Sequence, residues 1–192
     1  METLTAEIMT EKNPILKTIY ERRAVRSYLD KPVSREVIEQ LLDAGRMAPS
    51  AVNKQPWKFY VLTKKETVKQ FSDEIGKVAA KHFHLSIVSG ILKATDAVFH
   101  GAPAVIFITA PKDNEWASLD VGMCSQNIML AAKSLGLDTC PIGMVKFVED
   151  APGFSKLNIP HSENVLLAII VGYSKDKPSV HSRNKKNVSY ID

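Results

Sequence analysis

The chain has 192 residues, 45% hydrophobic and 24% charged, with 9 Gly and 10 Pro, which excludes a disordered or fibrous protein and suffices for one buried core without disulfides or a structural metal. Its 25 basic and 21 acidic residues leave a net charge of +4, which permits an anionic ligand without demanding nucleic acid, and no basic run is interleaved with aromatics. No apolar run approaches the ~20 residues of a membrane span, the start (Glu2, Glu7, Glu11) lacks the basic-then-apolar pattern of a secretory leader, and Cys124 and Cys140 match no C-x-x-C or zinc spacing. The expectation is a reduced cytoplasmic protein, with no membrane partner, no nucleic-acid partner and no metal.

Residues 14–23 predict a short helix, with Pro14 at its first position and Ile15, Leu16 and Ile19 on one face. Tyr28 to Pro32 breaks that pattern, and Ser34 is a good N-cap for a second helix through about Met47, with the stripe Val37, Ile38, Leu41 and Leu42. Residues 48–56 form a Pro-bracketed polar loop leading into a strand at 57–63. A long amphipathic helical stretch is expected over about 65–96, then a buried strand in the run AVIFIT at 104–109. Residues 116–135 are apolar almost all round and stop at Gly136, so a helix buried on nearly all sides is expected, part of it against a second subunit. A turn-rich segment follows at 138–145, then a buried strand at 165–173 and a polar tail without a core pattern. Alternating helices and strands indicate an α/β or α+β class.

Candidate chemistry falls in five places. Arg22, Arg23 and Arg26 cluster at the end of the first helix; they either hold a phosphate through charge-assisted contacts or complement a helix dipole. In the loop from Pro49 to Trp57, Ser50, Asn53 and Gln55 either read the edge of a heterocycle or satisfy a turn. Asp120, Gln126 and Asn127 lie in the apolar helix and need partners there. At Pro141-Ile142-Gly143-Met144, a glycine lets backbone amides approach a ligand. His181-Ser182-Arg183 lies in the tail. The dinucleotide glycine fingerprint, the phosphate-binding P-loop, the serine nucleophile elbow and the zinc-protease helix are all absent.

In order along the chain stand ERRAVR (21–26), APSAVNKQPW (48–57), DVGMCSQNIMLAAKSLGL (120–137), CPIG (140–143) and HSR (181–183). This ordered set resembles the FMN-dependent nitroreductase family over about residues 17–185, the second and third motifs being the specific ones. The resemblance implies an α+β fold with a mixed central sheet flanked by helices, and a single domain over residues 1–192. It also implies an intertwined homodimer, with a tail of about residues 174–192 extending over the partner subunit and one FMN in each interface cleft.

By the same resemblance, Arg22, Arg23 and Arg26 are phosphate and ribityl ligands, and Arg183 closes over the same phosphate. Pro49, Ser50, Asn53 and Gln55 reach the FMN held mainly by the other subunit. Pro141, Ile142 and Gly143 lie against the flavin ring. The chain departs from the family pattern at Ala24, where a serine is common, at His181, where Lys or Arg is common, and at Met144. The implied activity is transfer of hydride from NADH or NADPH through FMN to a nitroaromatic, quinone or similar small-molecule acceptor, in ping-pong fashion and without a catalytic side chain. Alternatives on the same fold are a non-catalytic FMN-binding or redox-sensing protein and a different flavin chemistry, with residues 72–100 as a candidate lid.

Overall fold

The computed structural model describes residues 13–82, 90–92, 94, 96–184 and 186–191. Asn13 begins the first helix: its side-chain oxygen accepts the N–H groups of Ile15 and Leu16 at 3.0 and 3.1 Å, with Pro14 next. This helix, α1 (Pro14–Glu21), stops short of the expected end at residue 23, and it buries none of its own residues in this chain. α2 (Arg35–Arg46) starts at Ser34, whose hydroxyl accepts the Val37 N–H at 3.4 Å, and buries Ile38, Leu41 and Leu42. Then come β1 (Lys58–Leu62), α3 (Lys65–His82), β2 (Ala104–Pro111), α4 (Ala117–Ser134), β3 (Asp138–Ile142) and β4 (Glu163–Gly172). Of the expected helical stretch to residue 96, α3 covers Lys65–His82 and residues 90–92 are also helical; residues 83–89, 93 and 95, within the candidate lid, lie outside the described residues.

The strands form one sheet in the order β1-β2-β4-β3, each neighbour antiparallel. The parallel pairing among the described residues is one isolated bridge outside the four strands, Ala24 to Thr139, on the outer edge of β3. Strand alternation sends Val105 and Phe107 to one face and Ile106 and Ile108 to the other. The first face is covered by α3 and a 3₁₀ segment, Gly143–Asp150, where Phe107 meets Phe71 and Phe99 edge-on at centroid distances of 6.2 and 6.0 Å. The second face is covered by α2 and α4, with Leu41, Cys124 and Ile128 in the contact. Helices on both faces of an antiparallel sheet give the expected α+β class.

One expectation is corrected. Residues 138–145 are not a turn: the first five pair with β4, Pro141 opposite Ile169, and a 3₁₀ helix begins at Gly143. Proline is tolerated because β3 is the edge strand. Within this chain, helix α4 is covered on one side and leaves the other open. Asp120, Val121, Cys124, Ile128 and Ala132 face the core, while Leu119 and Gly122 are exposed and Met123, Gln126 and Leu130 are half-buried. These five lie at helical spacing on one uncovered stripe. Past Gly172 the tail stays beside the arginine segment, Leu29 N–H donating to Tyr173 O at 2.8 Å and Lys175 N–H to Ser27 O at 3.0 Å. No helix among the described residues is long and apolar enough to cross a membrane.

Candidate functional site

Residues 22–28 leave α1 and run along the outer edge of β3, held by the Val25 N–H donating to Thr139 O at 3.0 Å. Tyr28 is buried and its hydroxyl donates to Val25 O at 2.8 Å, fixing the segment from the other side. Val25 is turned inward and buried, and alternation puts Arg22 and Arg26 on one side of the segment and Arg23 on the other. Arg22 and Arg26 both act on Cys140: burial pushes that thiol up, and Arg26 and then Arg22 oppose it. Arg26 also faces His100, whose imidazole is pushed down by burial first and by Arg26 second, against Asp96. Arg23 goes elsewhere. Its guanidinium donates to Tyr20 O at 2.5 Å and Arg22 O at 2.8 Å, and it lines a cleft with Glu21, Lys133, Asp138 and Asp176. Among the described residues none of the three arginines has a carboxylate ion-pair partner.

On the same strand, Pro141 and Gly143 are exposed and Ile142 is buried between them. The 3₁₀ helix starting at Gly143 has no side-chain cap, and the first amides of a helix have no partner within it. A Cβ placed on Gly143 would meet no atom of the described residues within 4 Å. β3 thus brings Arg22 and Arg26 into one neighbourhood with Pro141, Ile142 and Gly143.

The loop of Pro49, Ser50, Asn53 and Gln55 lies elsewhere, at the start of α4. It is a 3₁₀ turn, Ala51–Asn53, with positive φ at Val52 (46°), Asn53 (55°) and Gln55 (46°). Positive φ at a β-branched residue such as Val52 is strained. Within the loop, Ser50 Oγ accepts the Gln55 N–H at 2.9 Å, Ser50 O accepts the Asn53 N–H at 2.9 Å, and Gln55 Nε2 donates to Asn53 Oδ1 at 3.2 Å. The loop joins the rest of the chain through Ala51 N–H, which donates to Asp120 Oδ1 at 3.1 Å. From Asp120 to Lys133, beside the Arg23 cleft, α4 rises about 20 Å, so one copy of the chain keeps this loop and that cleft apart. Arg183 also stands apart, its guanidinium donating to His181 O at 2.9 Å in the exposed tail.

Two features go beyond what residue types alone indicated. Asp120 drew attention as a polar group in an apolar helix, but its partner 69 positions away carries no local signal. Glu163 gave no sign at all. It is buried at 4% exposure, accepts from Thr109 Oγ1 at 2.5 Å and Tyr60 OH at 3.3 Å, and pairs with Lys58. Both cysteines are free and buried; burial pushes Cys124 up to about 12. No group of His, Cys, Asp and Glu among the described residues is arranged to hold a metal ion.

A family model described as the Nitroreductase family matches residues 19–173. Among curated relatives, nitrobenzene nitroreductase from Ectopseudomonas oleovorans is 32% identical, over 81% of this chain and 85% of its own. FMN reductase [NAD(P)H] from Bacillus subtilis is 25% identical, over 89% of this chain and 70% of its own. Among solved structures, a nitroreductase with bound FMN from Desulfitobacterium hafniense superposes with a TM-score of 0.83 at 27% identity, covering 94% of this chain and 99% of that one.

Proposed function

The chain belongs to the nitroreductase family, and from that premise we propose that it is an FMN-dependent oxidoreductase transferring hydride from NADH or NADPH to a nitroaromatic, quinone or similar acceptor. The observation that carries this reading is that Arg22 and Arg26, without carboxylate partners among the described residues, lie beside the strand that leads into the open Gly143. A dianionic phosphate would offset two unpaired like charges, and a flat ring can approach where a glycine leaves backbone amides uncovered. The residues present therefore fit FMN.

When bound, FMN supplies the hydride-accepting centre that links donor and acceptor in two half-reactions at one site. Arg22 and Arg26 would hold the phosphate. Arg23, whose side chain turns to the other cleft, would contribute through its backbone, a narrower role than its place in the cluster implies. Ala24 offers no hydroxyl, which leaves the arginines a larger share of phosphate binding. Pro141, Ile142 and Gly143 would lie along the ring, and the amides at the start of the 3₁₀ helix would stabilise negative charge arriving with the hydride. No side-chain nucleophile or acid is required.

The second half of the site comes from a second copy in this reading. Loop 49–55 is remote from Arg23 in its own chain, and the stripe of Leu119, Gly122, Met123, Gln126 and Leu130 is uncovered. Packing two such stripes together makes a homodimer and brings Ser50, Asn53 and Gln55 of one copy to the FMN held by the other. Residues 1–192 act as one domain, with the tail from about 174 and its Arg183 extending over the partner. Free Cys124 and Cys140 suit a reducing, cytoplasmic setting.

The test is the absorbance spectrum of the purified protein, then oxidation of NADH and NADPH with and without a nitroaromatic or quinone. Released FMN and parallel-line initial rates are expected. Bound FMN without acceptor-dependent turnover would instead establish a non-catalytic flavin-binding protein.

A further inference from the structure

Asp120 is an expensive residue in the position it holds. It is 1% exposed, it has no ion-pair partner among the described residues, and its Oδ2 is buried without any hydrogen-bond partner. Ionised, it is a buried charge with a single hydrogen bond; protonated, it is a buried hydroxyl with no acceptor. Its place in the first turn of α4 compensates only in part. Its neighbours along the buried side of α4, Ala117, Val121 and Cys124, belong to the hydrophobic core, where an apolar side chain of similar volume would be the better fit.

What the carboxyl group does is local. Its Oδ1 accepts the Ala51 N–H at 3.1 Å, and among the described residues this is the one hydrogen bond tying residues 49–55 to another part of the chain. Those residues hold three positive-φ conformations that would relax without an external constraint. Ala48 and Trp57 are buried on either side and fix where the loop leaves and returns, but not the shape of the span between them.

We propose that Asp120 is a positioning residue: through Ala51 N–H it holds loop 49–55 in the strained shape that presents Ser50, Asn53 and Gln55 to the flavin, at a cost in stability. This rests on the FMN reading above for the loop's destination, though not for the loop's shape. Preorganisation of this kind appears as ligand affinity rather than as fold stability.

The experiment compares Asp120→Asn, Asp120→Leu, Ala51→Pro and the Asp120→Leu/Ala51→Pro double variant. Proline at 51 removes the N–H while accepting the backbone there, since Ser50 is extended and Ala51 opens a 3₁₀ turn. Asn keeps an oxygen for Ala51, so FMN should bind within about threefold of wild type. Asp120→Leu and Ala51→Pro should each weaken FMN by about tenfold or more, and the double variant should be no weaker than either single one. The urea midpoint of FMN-free Asp120→Leu should be unchanged or raised. Wild-type affinity in both Asp120→Leu and Ala51→Pro, or fully additive losses, would overturn the proposal. Hydrogen exchange at the Asn53 and Gln55 amides of FMN-free protein separates the two readings. Faster exchange in Asp120→Leu and Ala51→Pro, with no FMN bound even by wild type, would sink the cofactor reading and uphold the positioning role. Unchanged exchange would sink the positioning role.

Discussion

The backbone N–H of Val25 donates to the carbonyl of Thr139 at 3.0 Å, and this bond stitches the arginine segment to the strand that ends in Pro141 and Ile142. Because the segment is extended, successive residues point to opposite sides, so Arg22 and Arg26 share one side and separate from Arg23. The three arginines are therefore not equivalent.

Arg22→Ala and Arg26→Ala should each weaken FMN by about tenfold or more, the worth of a charge-assisted hydrogen bond, while affecting riboflavin much less. Arg23→Ala should leave both affinities nearly unchanged. Fluorescence titration of the FMN-free protein with each flavin gives the comparison, and equal losses for the two flavins would remove the phosphate from this position.

His100 offers a probe that does not depend on turnover. Its imidazole is held down by burial and by Arg26. A dianion bound at Arg26 offsets the second of these, so FMN should move the His100 titration upward toward its ordinary value of 6.5. NMR titration of the imidazole signal with and without FMN measures this, and riboflavin should produce a smaller shift.

How much of this was legible in the residues depends on how local each cause is. Helix α2 was readable to its cap because Ser34 and the Ile38–Leu42 stripe lie within one short window. Strand β3 was not, because Pro141 and Gly143 are turn residues by local preference, and pairing with β4 about 30 residues later overrides that preference. The arginine cluster was visible as composition, but its division follows from the extended backbone. Asp120 was visible as an anomaly, while Ala51 could not be found from it. Glu163 sits at a strand start where a charged residue is ordinary, so its burial had no local sign.

The cysteines should be bystanders. Cys124 and Cys140 are buried, and burial pushes both thiols up, Cys124 to about 12. The native protein should therefore resist thiol reagents near pH 8 and react fully when unfolded. The Cys124→Ser/Cys140→Ser variant should keep kcat within about threefold of wild type. A thousandfold loss, about 4 kcal/mol of barrier, with FMN still bound would assign a thiol to the chemistry.

Glu163 should make stability depend on acid. Burial pushes its carboxyl up, but hydrogen bonds from Lys58 and Thr109 outweigh burial and hold it below its ordinary value of 4.5. A carboxyl lowered in the folded state contributes stability above its unfolded value and loses it as pH falls through the folded one. Glu163→Gln should lower stability by about 1–2 kcal/mol at pH 7, and the difference from wild type should shrink toward pH 3. Urea midpoints across that range test it; a difference independent of pH would contradict it.

Leu119→Asp should disrupt the proposed homodimer without harming the fold. Leu119 is 57% exposed in its own chain, so the new charge meets water there but would be buried against a second stripe. Sedimentation should show a folded monomer with weakened FMN binding. A variant that remains dimeric with normal FMN affinity would place the subunit contact elsewhere.

The bond between Ala51 and Asp120 spans 69 positions, and that separation bears on the order of events during folding. A loop whose shape waits for so distant a partner forms only after α4 has docked on α2, because closing the intervening chain costs entropy that local contacts cannot offset. The protein thus acquires its hydrophobic interior first and its capacity to bind flavin afterwards. FMN added at the start of refolding would leave the collapse rate unchanged and draw forward the final step alone.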